Sequence, residues 1–188
     1  MKGLLVTLGV LVVLVLLVGG SYVSARNQMV VKDNAVKQAW SDIDTTLQRR
    51  ADLIPNLVET VKGYAKHEET VFADIANARA GLLNAKTPAD KMAANGQLDS
   101  ALGRLLAISE AYPDLKANQN FLSLQDQLEG TENRIQVARR RYNAALTDYN
   151  NFVQQFPNNI WAGLSSFHPN NAYFQASDAA RTAPQVKF

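Results

Sequence analysis

The stretch GLLVTLGVLVVLVLLVGGSYVSA, residues 3–25, carries no charged residue, and thirteen of its fifteen positions from Leu4 to Val18 are Leu or Val. As an α-helix it rises about 1.5 Å per residue, roughly 34 Å in all, which is enough to cross a hydrocarbon core of about 30 Å. Tyr22 stands where an interfacial aromatic residue lies in membrane proteins. We therefore predict a transmembrane anchor over residues 1–25, with Leu4, Leu5, Leu8, Leu11, Leu14, Leu17 and Tyr22 as its characteristic residues.

A cleavable secretory signal peptide is the alternative interpretation of this stretch. A single Lys2 precedes the apolar run, and Val23-Ser24-Ala25 offers the small residues that signal peptidase accepts. The run lies at the upper end of signal-peptide length, which favours an uncleaved anchor. The cations just after the span outnumber the one before it and favour a cytoplasmic C-terminal side, but long domains translocate regardless of charge. The side of the soluble part therefore stays open.

Composition excludes several classes of function. Beyond Lys2 the chain has eighteen Lys and Arg against seventeen Asp and Glu, which is no electrostatic footprint for a nucleic acid. Cysteine is absent, so a disulfide, a thiol nucleophile and a thiolate metal site are excluded. The part that follows the anchor is long enough for one domain with a core of its own.

A heptad pattern follows the anchor and predicts a long first helix, about 26–85. Its 4-3 spacing indicates a buried seam. The proline within it, Pro55, removes one backbone hydrogen bond and crowds the carbonyl of Ala51, but the pattern keeps its phase, so we expect a kink there. A helix that restarts at an Asp52 cap is the alternative. The short stretch Arg26–Ala35 has no proline or glycine, so anchor and first helix are expected to be nearly continuous. The seam comprises Val36, Trp40, Ile43, Leu47, Arg50, Ile54, Leu57, Val61, Tyr64, Glu68, Val71, Ile75, Ala78 and Leu82.

Two further helices are expected at about 88–112 and 118–156. The second begins at Thr87-Pro88-Ala89-Asp90, which supplies a capping hydroxyl, a proline at the first helical position and an acid in the first turn. It stops before Pro113, since the residue before a proline is biased away from helix. The third seam comprises Phe121, Leu124, Leu128, Thr131, Ile135, Ala138, Tyr142, Ala145, Tyr149, Phe152 and Phe156.

Residues 158–188 form a tail that we expect to be mostly irregular, with a short helix around residues 160–164. Its aromatic residues are expected to pack onto the end of the bundle, and contact with a partner or with the membrane is the alternative. These residues are Trp161, Phe167, Tyr173, Phe174 and Phe188.

These seams predict an all-α protein in which an N-terminal transmembrane helix continues into an elongated antiparallel three- or four-helix bundle with coiled-coil-like seams. The first helix, at about 60 residues beyond the anchor, would exceed either partner in length. Part of its seam would then find no partner within the chain. That leftover surface is our argument for a homo-oligomer.

No catalytic or metal-binding pattern was found in the sequence. His67-Glu68 begins like a helical zinc motif, but Val71 occupies the position of the second histidine. The run Arg139-Arg140-Arg141 is interpreted as a solvated face, with contact to phosphate head groups as the alternative. The polar seam residues Arg50, Glu68 and Thr131 are predicted to set the register between helices.

Several motifs resemble those of the LemA family, and together they cover nearly the whole chain. They are Gln38–Asp44, Leu47–Tyr64, Glu110–Asn118, Thr131–Ile135, Ala138–Arg140, Tyr142-Asn143 and Phe156-Pro157. The sequence departs from the family pattern after Phe174, where Gln175 and Ser177 stand in place of the usual acidic residues.

The resemblance implies a single-pass, all-helical protein of the bacterial inner membrane, with a relative associated with magnetosome membranes and with no enzyme activity. We expect no cofactor, no small-molecule substrate and no nucleic acid, and the lipid bilayer as a partner. The first hypothesis is a self-associating structural scaffold. The alternative is an adaptor that docks another membrane protein, such as a membrane protease, or a signalling partner.

Overall fold

The computed structural model of the protein describes residues 2–174, and over this range the chain forms helices and no strand. Within that range the residues cluster into two compact units. The anchor unit contains residues 2–39 and 142–171, and the bundle unit contains residues 40–141 and 172–174. The helices are α1 Lys2–Lys62, α2 Glu69–Asn84, α3 Pro88–Ser109, α4 Pro113–Lys116, α5 Gln119–Gln154 and α6 Asn158–Leu164.

In the bundle unit four helices alternate in direction. Arg50 of α1 contacts Glu132 of α5, while Tyr64 further along α1 accepts a hydrogen bond from Asn118 at the start of α5, so these two helices are antiparallel. Helix α2 folds back along α1, because its first turns lie near Lys62 and its end lies near Ala51. Helix α3 again follows the direction of α1. The expected all-α antiparallel bundle is confirmed.

The core of the bundle unit is built from the heptad positions of these helices. Apolar side chains at helical spacing bury one stripe of each helix against the others, which is the main source of stability in such a bundle. The most deeply buried members are Ile43, Ile54, Leu57, Val61, Ile75, Leu98, Leu105, Leu115, Phe121 and Ile135.

The first helix ends earlier than predicted. It stops at Lys62, and a turn over residues 63–68 leads into α2, so the expected single helix over 26–85 is two helices. Folding back buries Phe72 and Ile75 of α2, which a continuous straight helix would leave facing water. Glu68 consequently precedes α2 at its N-cap, partly exposed, and the prediction that it occupies an interhelical seam was wrong. The first helix is therefore not longer than its partners in the way predicted, and its excess length no longer supports a homo-oligomer.

The second and third predicted helices agree with α3 and α5 to within a few residues. The Thr87 hydroxyl accepts a hydrogen bond from the Asp90 backbone N–H at 3.1 Å, which is the predicted N-cap of α3. Near its C-terminus α5 buries Leu146 and Val153 instead of Ala145 and Phe152. A straight helix drifts relative to a strict heptad, which accounts for this change of phase. Phe156, expected in the seam, lies beyond the end of α5 and is exposed.

In the anchor unit α5 returns antiparallel along α1. Lys32 pairs with Asp148 at 2.6 Å, and its ammonium lies 5.3 Å from the ring centre of Phe152. Helix α6 follows, close to the short helix that was predicted. Two residues after its last helical residue, Leu164, Ser166 has φ 59°. The Phe167 N–H bonds to the Ala162 carbonyl at 3.0 Å, as in a Schellman motif.

Candidate functional site

The N-terminal part of α1 is an uncovered apolar helix. All of the predicted anchor leucines are 51–76% exposed, and no residue of the most apolar 18-residue window is buried. The helix is therefore long and apolar enough to cross a membrane, and it is not the core helix of the described fold. Tyr22, at the end of this run, is partly buried.

A face of α1 stays uncovered beyond the apolar run. Its positions follow a 4-3-4 spacing and are all exposed, whereas Ala25, Met29 and Val36 on the other side are buried. We call this surface the open face: Leu16, Gly20, Val23, Asn27, Val30 and Asn34. Its spacing is visible in the sequence, but only the structure shows that the opposite side of α1 is covered and this side is not.

The bundle unit contains a buried charged cluster around Arg50, which is 6% exposed. Its guanidinium donates from Nη1 to Glu132 Oε2 at 2.6 Å and to Asn95 Oδ1 at 3.1 Å, and Nη2 pairs with Asp99 Oδ1 at 2.5 Å. The Asn95 amide in turn donates to Asp99 at 3.0 Å. Three helices, α1, α3 and α5, are thus tied together at one level of the bundle.

The charges of this cluster do not balance, since one guanidinium faces two carboxylates. Burial raises the pKa of the Asp99 carboxyl above its ordinary value of 3.8, and the neighbouring charge of Glu132 adds to the shift, while Arg50 opposes it. Asp99 therefore gains less from its ion pair than an isolated pair would provide.

Arg50 joins other helices as predicted for a register residue, but Thr131 forms a different interaction. Thr131 is buried, and its hydroxyl donates to the Leu128 carbonyl of its own helix at 2.7 Å. This hydrogen bond is local to α5 and does not join two helices. The role of both residues in setting the register stays a prediction.

Pro55 lies within α1, which continues through it. A proline has no N–H, so the carbonyl of Ala51 lacks its usual helical donor. Arg79 of α2 supplies one, donating from Nε to the Ala51 oxygen at 2.7 Å. The freed carbonyl follows from the sequence, but the arginine does not, because a sequence pattern does not show which helix folds back beside Ala51.

The aromatic residues of the tail divide between the two units. In the anchor unit Trp161 meets Tyr22 edge-on at a centroid distance of 5.7 Å. In the bundle unit Phe174 stacks on Trp40 at 6.0 Å, and the Arg139 guanidinium lies 5.6 Å from the ring of Phe174. Phe167 and Tyr173 are partly buried, and Phe188 lies outside the described residues.

Side chains of α5 hold the segment after α6 by hydrogen bonds to its backbone. Asn150 donates from its amide to the carbonyl of Asn170 at 2.7 Å and accepts from the Asn170 N–H at 2.9 Å. The Tyr149 hydroxyl donates to the His168 carbonyl at 3.0 Å. Burial, followed by the charge of Asp33, raises the pKa of the Tyr149 phenol above its ordinary value of 10.0, so it stays a donor.

Within residues 2–174 no group of three or more His, Asp or Glu side chains is placed to hold a metal ion. His67 is exposed in the turn before α2. A cavity of about 310 Å³ opens beside the Arg50 cluster, with Leu57, Leu102 and Leu128 among its walls. Among its polar residues, Arg50 pairs with Asp99 and Glu132, and the lining residues do not form a nucleophile with an adjacent base.

The chain is similar in sequence to several known bacterial proteins. Protein LemA of Metamycoplasma hominis is 29% identical over 161 residues, which cover 85% of this chain and 73% of the relative. Magnetosome protein MamQ 2 of Paramagnetospirillum magneticum is 26% identical over 182 aligned residues, covering 83% of this chain and 66% of the relative. Magnetosome protein MamQ of Magnetospirillum gryphiswaldense is 25% identical over 174 aligned residues, covering 78% and 64%.

This chain thus spans about two thirds of the length of the magnetosome relatives. The names of these relatives state no enzymatic activity. The sequence model of the LemA family matches residues 39–188, which is most of the chain. With an all-helical fold that continues from one long apolar helix, the chain belongs to the LemA family.

Proposed function

We propose that this protein is a non-enzymatic, single-pass protein of the bacterial inner membrane that self-associates into a structural scaffold. The exposed apolar part of α1 supports the anchor, because exposing thirteen Leu and Val side chains to water is unfavourable. Membership of the LemA family and the names of the magnetosome relatives support an association with a membrane.

The open face of α1 is the observation that carries self-association. Its 4-3-4 spacing is that of a coiled-coil seam, and the face runs without interruption from the apolar run into the following turns. Since α5 covers the opposite side of α1 in the anchor unit, a second copy has free access to this face.

The residue types on the open face favour a parallel pair of α1 helices. With Val23 and Val30 at d positions, Asn27 and Asn34 fall at a positions. Asparagine at an a position lowers stability but specifies register and oligomeric state in parallel coiled coils. Two copies anchored in one membrane with the same orientation are already parallel, so their open faces meet in register.

Disulfide cross-linking in native membranes tests this proposal. The chain has no cysteine, so a single Val30→Cys substitution introduces one reactive thiol per copy. We expect Val30→Cys to give a covalent dimer on mild oxidation. Gln28→Cys is the matched control, because Gln28 is exposed on the same turn but lies at a b position, away from the seam.

Chromatography with light scattering on the detergent-solubilised full chain provides the second measurement. A dimer or larger assembly agrees with the proposal. A monodisperse monomer together with equal cross-linking at both cysteine positions contradicts it. Cross-links from Val30→Cys to a different protein alone would instead favour the adaptor hypothesis.

A further inference from the structure

We infer that α6 and the residue before Pro157 form a second membrane contact, which inserts into the lipid headgroup–acyl boundary beside the anchor. This interfacial patch consists of Phe156, Ile160 and Leu164. The inference rests on the proposed function in one respect, since it requires α1 to span the bilayer.

The position of α6 along α1 is the first observation. Trp161 meets Tyr22 edge-on at 5.7 Å, and the Ser165 hydroxyl donates to the Tyr22 hydroxyl at 3.2 Å. Tyr22 is the aromatic residue at the end of the apolar run, and the first charge, Arg26, follows about 6 Å further along the helix axis. Helix α6 therefore lies at the level where α1 leaves the hydrocarbon core.

The exposure of the patch is the second observation. Phe156 is 81% exposed, Ile160 50% and Leu164 69%. Ile160 and Leu164 lie four residues apart, on one face of α6, whereas Ala162 is buried and Trp161 turns toward Tyr22. One side of α6 is thus buried against α1, while the other side leaves a large apolar stripe exposed. An exposed apolar stripe of this kind marks a contact surface.

The absence of charge around the patch is the third observation. No Asp, Glu, Lys or Arg occurs from Tyr149 to Phe174, and the polar residues there are mainly Asn, Gln and Ser. A charged ring would hold such a segment in water, whereas neutral polar residues beside large apolar ones suit the membrane interface. Because the patch adjoins the anchor, the bilayer is the occupant closest to it.

Spin-label accessibility in the full chain tests this inference. The protein is reconstituted into vesicles of phosphatidylcholine and phosphatidylglycerol, and a nitroxide is attached to the single cysteine of a Leu164→Cys variant. Collision rates with oxygen, which concentrates in lipid, and with a neutral nickel complex, which concentrates in water, are then compared. Leu11→Cys serves as the label within the anchor, and Val31→Cys, exposed on α1 beyond the anchor, serves as the aqueous control.

We expect the label at Leu164 to collide more often with oxygen than with the nickel complex, as at Leu11, and the label at Val31 to show the reverse order. A water-like Leu164 beside a lipid-like Leu11 overturns the interfacial patch while leaving the anchor intact. Low collision rates with both reagents at Leu164 overturn it in favour of a protein partner or a second copy. A water-like Leu11 overturns the anchor itself, and the patch with it.

Discussion

Arg79 of α2 donates its Nε–H to the backbone carbonyl of Ala51 in α1 at 2.7 Å, and Ala51 is the residue whose helical donor Pro55 removes. The carbonyl belongs to a fully buried residue, so water does not replace the missing donor. A side chain from one helix therefore completes the hydrogen bonding of another.

This pairing predicts that Arg79→Met destabilises the fold. Methionine keeps the length of the side chain but cannot donate, so the Ala51 carbonyl is left unsatisfied, at a cost of about 1–3 kcal/mol. Urea unfolding of the full chain in detergent measures the change. Arg104→Met is the matched control, because Arg104 forms an exposed ion pair with Asp74 at 2.8 Å, and such a pair contributes only about 0–1 kcal/mol.

A double-mutant cycle identifies the cause. Pro55→Ala restores an N–H to α1 and so gives the Ala51 carbonyl its helical donor. In that background we expect Arg79→Met to lose most of its effect. An equal loss of stability with and without Pro55 would show that Arg79 acts through packing or charge instead.

Removing the guanidinium at Arg50 is expected to be strongly destabilising. Arg50→Ala leaves Asp99, Glu132 and Asn95 without their shared donor. Because both carboxylates are partly exposed, water offsets part of the loss, and we expect a cost of about 1.5–3 kcal/mol. Arg49→Ala, at the adjacent exposed position, is expected to change the unfolding free energy by no more than about 0.5 kcal/mol. Similar midpoints for the two variants would contradict the cluster. An Arg50→Leu variant that keeps both its helix register and its oligomeric state would refute a register role.

The pH dependence of stability is expected to report on Asp99. Its folded-state pKa is raised, mainly by burial, so the folded state prefers the neutral carboxyl. This contribution to stability is fully present below the unfolded value of 3.8 and is lost as the pH rises through the folded value. Asp99→Asn keeps an acceptor for Arg50 but cannot titrate. As the pH falls from about 7 to about 3, the unfolding free energy of wild type should therefore rise relative to that of Asp99→Asn. A shift in the other direction would show that the ion pair with Arg50 dominates.

The end of α6 offers a stabilising substitution. Ser166 has φ 59°, in the left-handed region that favours glycine. We expect Ser166→Gly to raise the unfolding free energy by about 0.5–1 kcal/mol, since the strain of the left-handed serine is relieved. Ser165→Gly is the control, because Ser165 has φ −104° and its hydroxyl bonds to Tyr22, so that substitution should destabilise. Thermal unfolding of both variants decides the point.

Sequence periodicity predicted the helical class, the apolar anchor and the limits of α3 and α5, because these depend on local pattern and on caps such as Thr87. It did not reveal the turn at residues 63–68. The heptad phase on the two sides of that turn is the same, so a spacing argument alone cannot tell a bent chain from a straight one.

For the candidate site, the sequence identified Arg50 as a polar residue of the first helical seam. It did not identify Asp99 or Asn95, because α3 meets α1 at that level only after α2 has folded back. The interfacial patch was missed for a different reason. Phe156 fitted the heptad spacing of α5, and only the end of the helix at Gln154 shows that its side chain faces outward.

The pair formed by Asn150 and Asn170 shows how a helix can bind an extended segment. A helix has already used its own backbone groups, so it has no edge of the kind a sheet offers to an incoming strand. The carboxamide of Asn150 carries a donor and an acceptor side by side, and it presents them to the carbonyl and the N–H of Asn170. The Asn150 side chain thereby pairs with one residue of an extended segment as the backbone of an edge strand would. Because the recognition is of main-chain atoms, the pair requires an amide side chain at position 150, whereas position 170 accepts any residue that retains its N–H.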